Sequence, residues 1–575
     1  MKKYINYAKK YYLYFILGPF FMVLEACGEF ILPYINANLI NVGAGTNDVN
    51  YVIRQGIFMA LIALAMLVTG VLGAKFTIQA STRLAAGIRR DVFHKIQTFS
   101  FTDIDEFSTG SLITRITNDI TQIQNFTQTM LRGFFRSPVM LIGALIMSFI
   151  LNPSLALAIL IIVPILAIAI TLIIRTASPR YTKMQKAIDS LNNDVGETIT
   201  NIKVIKSFVR EDYEIKGFGT VNDALVDKST SALKVMLLMQ PVSALAVNIT
   251  TLAVVWISGR QIMIGEMELG TLTAFITYLS QILTALTFLA NIVLQGTRAA
   301  ASDKRITEVL DNVVELTDEK ATHKDVKITR GDIEFRNVSF KYFKENKDYI
   351  LSDINLQIKA GELIGIVGST GSGKSTLVSL IPRLYDANEG EVLVDGINVK
   401  ELSFLNLRDS IAMVLQKNTL FAGTISENLR WGNENATDEE IKHAATVAQA
   451  DSFITGFPNG YETELGQGGV NLSGGQKQRL CIARALLKSP RIIILDDSTS
   501  AVDNATDASI RKAFREELPG VTKLIIAQRI SSIMDADRIL VLDEGKVAGF
   551  GTHDTLIKEC SEYQEIYYSQ KDKED

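Results

Sequence analysis

Hydrophobic positions are distributed unevenly along this chain. Over roughly the first 300 residues they form long continuous runs, whereas later they form short runs between polar segments. A run of ~20 apolar residues is long enough for one helix to cross a bilayer. The pattern predicts six membrane-spanning helices, near residues 11–35, 52–80, 128–151, 154–176, 234–262 and 268–297.

Two long polar connections join these predicted spans, one after the second span and the other after the fourth. Both have helical periodicity, which predicts that membrane helices continue into water. Lys and Arg are concentrated in these connections and at the N-terminus, and they are absent from residues 35–53, 152–153 and 261–270. Because basic residues favour the cytoplasmic side, we expect both termini to lie in the cytoplasm. The first apolar run is too long for a signal peptide and predicts a retained helix.

A few charged residues interrupt the predicted spans. Glu25 and Glu29 are one helical turn apart and share a face. They could line a pathway for cationic substrates, or they could lie hydrated at the outer boundary, which is the interpretation we favour for Glu29. Arg132 and Arg136 share a face at the start of the third span, and we interpret them as interfacial anchors.

Length and composition set further bounds. A chain of 575 residues is too long for a single core and predicts at least two domains. The net charge of -4 argues against a nucleic-acid partner. The three cysteines and four histidines are isolated, so neither a disulfide framework nor a metal cluster is predicted.

The pattern changes after residue 300. A charged linker over residues 301–330 separates a membrane domain, residues 1–300, from a second domain, residues 331–575. In the second domain short apolar runs alternate with helical segments, as expected for an α/β domain with a parallel sheet. The charged C-terminal stretch after Cys560 is expected to fray.

A glycine-rich loop carries the most specific chemical signal. It matches G-x-x-x-x-G-K-[ST] between a predicted strand and a predicted helix, where backbone N–H groups can wrap phosphates. The lysine would reach the β and γ phosphates, and the serine could hold Mg²⁺. A second carboxylate is expected at the end of another strand, and the run IIILD supplies it in Asp496. The loop residues are Gly368, Ser369, Thr370, Gly371, Ser372, Gly373, Lys374 and Ser375, with Thr376 next.

Several further motifs, in the same order along the chain, resemble those of ATP-binding cassette (ABC) exporter half-transporters, over nearly the whole length. Tyr342 matches the tyrosine that stacks on adenine, and Gln416 matches the Q-loop glutamine, which also contacts Mg²⁺ in the family. SAVD, residues 500–503, resembles the D-loop, and parts of both polar connections resemble coupling helices. The signature motif is matched by Leu472, Ser473, Gly474, Gly475 and Gln476.

This resemblance implies a fold and a mechanism. We expect a multidomain membrane protein, with an all-α six-helix transmembrane domain followed by an α/β P-loop nucleotide-binding domain. Two halves would face each other head to tail, with ATP and Mg²⁺ between the P-loop of one and the signature motif of the other. ATP-driven closure would then turn the membrane cavity outward, and hydrolysis would reset it.

Two positions depart from the family pattern at the hydrolytic end of the site. Asp497 stands where a water-orienting glutamate is usual, and Gln528 stands where a histidine contacts the γ-phosphate. Aspartate is shorter by one methylene, about 1.5 Å, and a misplacement of that size can reduce a rate ~10²-fold. Glutamine cannot carry the charge of an imidazolium. Asp497 and Gln528 are therefore the catalytic candidates of a site that binds ATP and cleaves it slowly.

That combination resembles the degenerate-site subunit of a heterodimeric bacterial multidrug exporter. It implies a non-identical ABC half-transporter as partner, amphipathic small molecules as substrates, and a multi-pass location in the cytoplasmic membrane. Two alternatives stay open. The chain could form a catalytically active homodimer that exports lipid or peptide, or it could be an ATP-gated regulatory or channel-like subunit.

Overall fold

A computed structural model gives the architecture of two compact units. One unit comprises Met1–Gln97 and Thr109–Asn312, and the other comprises Thr98–Ser108 and Val313–Asp575. The structure describes residues 4–45, 48–319, 321–342, 348–497 and 503–571. The domain boundaries predicted at residues 300 and 330 stay predictions, although the last helix of the first unit continues past residue 300 to Asp311.

Helices joined by short turns make up the described residues of the first unit. Two π-helical segments, Leu39–Ala44 and Arg115–Asp119, interrupt the α-helices. The helices up to residue 312, of which only α4 belongs to the second unit, are α1 (Ile5–Lys10), α2 (Tyr12–Asn38), α3 (Val49–Gln97), α4 (Phe101–Phe107), α5 (Thr109–Thr114), α6 (Ile120–Gly133), α7 (Arg136–Leu151), α8 (Pro153–Thr200), α9 (Ile202–Ser207), α10 (Glu211–Leu237), α11 (Met239–Met263) and α12 (Leu269–Asp311).

Local sequence explains where some of these helices begin. Asn152 separates α7 from α8. Its side-chain oxygen accepts hydrogen bonds from the backbone N–H groups of Ser154 and Leu155. Pro153 then occupies the first turn of α8, where a missing N–H has no consequence. This cap separates the predicted third and fourth spans by a single residue outside the helices.

The number of membrane spans is confirmed only in part. In the described residues, five helical stretches are long and apolar enough to cross a membrane. The predicted fourth span, residues 154–176, lies in α8 and includes side chains outside the described set, so the count of six stays a prediction. The five stretches are Tyr12–Gly43, Val49–Gln97, Thr109–Leu151, Glu211–Met263 and Leu269–Asp311.

The charged residues of α2 and α7 form a cluster, and the interpretation of Arg136 as an interfacial anchor is wrong. Arg136 Nε lies 3.7 Å from Glu25 Oε2, and the guanidinium also pairs with Glu29. Gln281 donates to the backbone carbonyl of Glu29 over 2.7 Å. The three charged side chains are only 21–24% exposed. Neither interpretation of the glutamates anticipated an arginine partner, because the pair joins helices more than a hundred residues apart.

The second unit is an α/β domain, as the alternating pattern predicted. Its strands are β1 (Ile333–Phe340), β2 (Leu351–Ile358), β3 (Leu363–Gly368), β4 (Glu389–Val394), β5 (Ile397–Asn398), β6 (Ile411–Val414), β7 (Gly423–Thr424), β8 (Glu464–Leu465), β9 (Ile492–Asp496), β10 (Thr522–Ile526), β11 (Arg538–Asp543) and β12 (Lys546–Gly551). Its remaining helices are α13 (Lys374–Leu380), α14 (Phe404–Asp409), α15 (Ile425–Arg430), α16 (Asp438–Val447), α17 (Asp451–Ile454), α18 (Gly474–Leu487), α19 (Asn504–Glu517), α20 (His553–Glu559) and α21 (Ser561–Lys571).

The strand order brings the chemically important strand ends together. Among the described residues the larger sheet has the order β12-β11-β3-β10-β9-β6, with β12 antiparallel at one edge and the others parallel. A smaller antiparallel sheet has the order β2-β1-β4-β5. Strand β10 pairs with both β3 and β9, and Ile526 lies opposite Asp496. Ligands of such sheets bind at the carboxyl ends of the strands.

Helix α4 packs within the second unit, although the chain around it belongs to the first. Ser100 caps this helix by accepting from Asp103 N–H, and the Asp103 carboxylate accepts from Ser100 N–H over 2.8 Å. The ring of Phe101 lies 5.9 Å from that of Tyr385, whose hydroxyl donates to Asp105 over 3.0 Å. The last three residues of this helix, 105–107, begin the first of the two segments that resemble coupling helices, residues 105–120.

Candidate active site

The P-loop connects β3 to α13 at the carboxyl edge of the larger sheet. Gly371 and Gly373 have φ angles of +89° and +93°, which glycine adopts without strain. A Cβ atom on Gly373 would also lie 2.7 Å from a side-chain carbon of Leu351. The helix starts at Lys374, so its first N–H groups face the loop. The predicted strand–loop–helix arrangement is present.

Lys374 is held by its own loop. Its ammonium donates to the carbonyls of Gly368 and Ser369 over 2.8 and 2.7 Å. Burial lowers the pKa of Lys374, and the charges of Asp496 and Asp497 oppose that shift. A phosphate oxygen is a stronger acceptor than a neutral carbonyl and can replace either contact. The lysine therefore fits its predicted role toward the β and γ phosphates.

The predicted magnesium pair lies together. Ser375 donates to Asp496 Oδ1 over 2.8 Å, and Asp496 is only 5% exposed at the end of β9. Burial raises the pKa of Asp496, while the hydrogen bond from Ser375 opposes that shift. A hydroxyl and a carboxylate are the oxygen ligands with which proteins hold Mg²⁺ beside a nucleotide, so these residues fit the ion.

Asp497 and Gln528, the two residues that depart from the family pattern, bind each other. Gln528 Nε2 donates to Asp497 Oδ2 over 2.6 Å. Burial raises the pKa of Asp497, and hydrogen bonds from Gln528 and then Gln416 oppose that shift. Asp497 is 9% exposed, with a left-handed φ of +49°. Two glutamine amides thus hold the carboxylate that follows the magnesium aspartate. Gln416, expected at the metal, here contacts Asp497.

Tyr342 reaches the start of the P-loop helix. Its hydroxyl shares a hydrogen bond of 2.9 Å with Thr376. Its ring packs edge to face against the rings of Phe340 and Tyr385, at 5.0 and 5.1 Å between centroids. The tyrosine therefore lies close to the loop, and its stacking on adenine stays a prediction. Through Tyr385 the same aromatic group also reaches α4.

The signature motif forms the start of α18. Ser473 caps the helix by accepting from the backbone N–H of Gln476, and the Gln476 side chain accepts in return from Ser473 N–H over 2.9 Å. Gly474 and Gly475 form the first turn, and Leu472 is buried before it. Within the described residues, no hydrogen bond of Ser473 or Gln476 reaches the P-loop. The D-loop lies outside the described residues except for Asp503, which caps α19.

Gln570 contacts the backbone of residues 528–532, named the switch segment from here on, and sequence reasoning missed this residue. Its Nε2 donates to the backbone carbonyl of Gln528 over 2.8 Å, and its Oε1 accepts from Ile530 N–H, also over 2.8 Å. The C-terminal stretch was expected to fray, which is wrong for α21 because Tyr563 is fully buried in the core. Gln570 follows Tyr563 by two helical turns and lies on the same face.

Gln478 was also missed. It lies one turn into α18 and is 1% exposed, and its Nε2 donates to the backbone carbonyl of Asp497 over 3.3 Å. The helix that begins with the signature motif is thereby joined to the catalytic candidate. A single sequence does not show which polar residues of a helix make a contact of this kind.

Comparisons with known proteins agree with this architecture. A family model described as ABC transporter transmembrane region matches residues 15–286, and a second model, described as ABC transporter, matches residues 351–500. A Bacillus subtilis (strain 168) protein named for multidrug export, YgaD, is 32% identical over 99% of this chain and 98% of its own length.

Two further comparisons cover most of the chain. An ATP-dependent lipid A-core flippase of Desulfotalea psychrophila (strain LSv54 / DSM 12343) is 35% identical over 85% of each protein. The solved structure of a bacterial Atm1-family ABC exporter with ATP bound superposes with a TM-score of 0.80. It has 26% sequence identity over 98% of this chain and 99% of the other.

The chain belongs to the ABC transporter family. One transmembrane region followed by one ATP-binding domain is the composition of an exporter half-transporter. Such a domain couples ATP hydrolysis to transport across a membrane, and two halves form the working unit.

Proposed function

We propose that this chain is one half of an ATP-driven exporter of amphipathic small molecules, and that it works with a second, non-identical half. In this proposal its own P-loop site binds ATP and hydrolyses it slowly. The observation that carries the proposal is the direct contact between Asp497 and Gln528.

The position of the carboxylate supports slow hydrolysis. A general base must lie within hydrogen-bond distance of the attacking water. The side chain of Asp497 is about 1.5 Å shorter than that of glutamate, and its carboxylate already accepts from Gln528 and Gln416. A water would have to compete with two amide donors for a carboxylate that extends less far into the site.

The neutral amide of Gln528 adds to this effect. Phosphoryl transfer depends on stabilising charge on the γ-phosphate oxygens as it develops. An imidazolium could supply a full positive charge, whereas an amide supplies only a dipole. The hydrogen bond to Asp497 also directs the Gln528 N–H toward the carboxylate rather than toward a phosphate.

The groups that bind nucleotide support retained ATP binding. Lys374 would contact the phosphates, Ser375 and Asp496 would hold Mg²⁺, and Tyr342 would pack on the base. Mg²⁺, when bound, neutralises charge on the β- and γ-phosphates. None of these side chains depends on the Asp497–Gln528 pair for its own contacts.

The signature motif supports a partner subunit. The cap on α18 leaves the N-terminus of the helix, with its partial positive charge, available to a nucleotide held by another chain. We infer that a partner P-loop with the missing glutamate and histidine would be completed by this motif. The hydrolytic cycle would then depend mainly on the partner's site.

The named activities of the relatives support the substrate class. One relative is named for multidrug export and the other is named as a lipid A-core flippase. We propose export of amphipathic small molecules from the cytoplasmic side of a bacterial inner membrane, with both termini in the cytoplasm. The flippase relative makes a lipid the second candidate.

ATP turnover of the purified chain alone, with ATP binding measured in the same sample, tests this proposal. We expect binding with very slow turnover, and D497N should change that rate little because the carboxylate contributes little. The double variant D497E/Q528H should raise turnover at least tenfold. Brisk turnover of the unchanged chain, abolished in D497N, would instead establish an active homodimer.

A further inference from the structure

A basic cavity lies in the first unit between the N-terminal segment and α3. Its volume is about 390 Å³. Lys10 lines it from the end of α1, and Arg83 and Arg90 line it from α3. Tyr7 and Asp91 complete its polar wall. Neither the P-loop site nor the proposed transport cycle uses these residues.

Close packing of α1 against α3 forms the floor of this cavity. A Cβ atom on Gly87 would lie 2.8 Å from a ring carbon of Tyr7, so the ring rests directly on the glycine. The hydroxyl of Tyr7 donates to the carboxylate of Asp91. Asp91 is the only acidic residue among the described residues that line the cavity, and its carboxylate already accepts this hydrogen bond. The hydrogen bond also links α1 to α3.

The basic side chains leave the cavity positively charged. Arg83 stacks on the rings of Tyr11 and Tyr14, with its guanidinium carbon 5.1 and 4.6 Å from their centroids. Stacking fixes the plane of the guanidinium and leaves its N–H edges available for an anion. In the described part of the chain neither Lys10 nor Arg90 forms an ion pair. Three positive charges therefore face one carboxylate that a phenol already contacts.

The cavity lies at the membrane boundary. The membrane stretch starts at Tyr12, and its first apolar side chains, including Leu13 and Ile16, are exposed by more than half. Tyrosines at this level are typical of the interface between lipid and water. In the proposed orientation this end of α2 faces the cytoplasm, where the leaflet carries anionic lipids.

We propose that this cavity binds the phosphate-bearing headgroup of an anionic phospholipid from the cytoplasmic leaflet. Arg83 supplies a flat, preoriented pair of N–H donors, and Lys10 and Arg90 supply charge on either side. The acyl chains would leave the cavity along the apolar surface of α2. This site is separate from the transport substrate and rests on the membrane orientation proposed above.

Native mass spectrometry of the full chain tests this inference. The detergent-purified protein is titrated with phosphatidylglycerol, with phosphatidylcholine, and with inorganic phosphate alone. We expect retained phosphatidylglycerol adducts. Since each basic residue near an anionic surface contributes about fivefold in affinity, R83A/R90A should weaken binding about 25-fold. R83A/R90K should restore part of the loss, because lysine keeps the positive charge at position 90.

A matched variant separates the cavity from general charge. R175A/R180A removes two arginines near the end of another predicted span and should leave phosphatidylglycerol binding unchanged. Equal losses in both double variants would overturn the site, as would unchanged binding in R83A/R90A. Binding of inorganic phosphate with the same affinity would overturn the lipid assignment. Binding is compared only among variants whose size-exclusion profile matches that of the unchanged chain.

Discussion

Replacing Gln570 by alanine would remove both hydrogen bonds between α21 and the switch segment. The amide donates to the carbonyl of Gln528 and accepts from the N–H of Ile530, each over 2.8 Å. The Gln570 amide thus forms two hydrogen bonds with the backbone of the switch segment. It thereby positions the segment from which the Gln528 side chain reaches Asp497. Alanine leaves the helix intact, since it has the highest helix propensity.

The magnitude follows from these two bonds. A buried or half-buried hydrogen bond contributes about 1 kcal/mol net. Losing two should therefore lower the free energy of opening the switch segment by about 2 kcal/mol. That corresponds to an increase of about 30-fold in the population of locally open states. Water can reach this position and compensate in part for the two lost hydrogen bonds, so about 2 kcal/mol is an upper limit.

Amide hydrogen exchange measures this opening directly in the full chain. The N–H of Ile530 is a direct probe, because its acceptor is the amide that is removed. We expect exchange in a peptide covering residues 528–532 to accelerate about 30-fold in Q570A. ATP binding should not change in Q570A, because Lys374 and Ser375 keep their contacts.

Q564A provides the matched control. Gln564 lies on the same helix, and its side chain donates to the carbonyl of Ile557 rather than to the switch segment. Exchange over residues 528–532 should be the same in Q564A as in the unchanged chain. If Q570A exchanges no faster than Q564A there, the helix does not position the switch, and the reasoning from these two hydrogen bonds is refuted.

Two further changes test other contacts of the second unit. Y385F removes the hydroxyl that donates to Asp105 and keeps the ring; we expect normal ATP binding but several-fold weaker stimulation of ATP turnover by transported compounds in vesicles. Y349F removes an exposed hydroxyl elsewhere and should be without effect. Burial would raise the pKa of Asp395, but backbone N–H groups of residues 329–332 donate to it and hold its pKa below the usual range. D395N should therefore destabilise the unit by about 2 kcal/mol at neutral pH. In denaturation of the full chain this difference should vanish as the pH falls through the lowered pKa of the folded state.

Local sequence patterns predicted the parts of the fold that depend on neighbouring residues. Long apolar runs predicted helices of membrane length, and the closely spaced glycines at positions 368, 371 and 373 predicted the P-loop between β3 and α13. The pair Ser375 and Asp496 was predictable because Asp496 ends β9 and Ser375 follows β3 through the P-loop, and the carboxyl ends of these strands lie at one edge of the sheet. In each case the relevant residues are adjacent, or a simple rule of sheet topology places them together.

Contacts between distant segments could not be predicted in this way. Arg136 pairs with Glu29 across 107 positions, and Gln570 contacts Gln528 across 42. Whether a polar side chain on a helix faces water, lipid or another segment depends on the packing of whole elements. A single sequence contains no signal for that packing, and this is why Arg136 was misassigned and Gln570 was missed.

The contact between Asp497 and Gln528 explains why the two departures should act together. Their side chains already meet over 2.6 Å, so a glutamate at position 497 would add a methylene where the amide lies. D497E alone would displace Gln528, and Q528H alone would leave the carboxylate too short to orient water. We therefore expect either single variant to raise turnover by less than about 1.5-fold and the double variant to raise it at least tenfold. A double-mutant cycle on ATP turnover gives the coupling, expected at about 1 kcal/mol as for residues in contact. Independent, multiplicative effects of the two substitutions would mean that this hydrogen bond does not control the site, and the slow turnover would then need another cause.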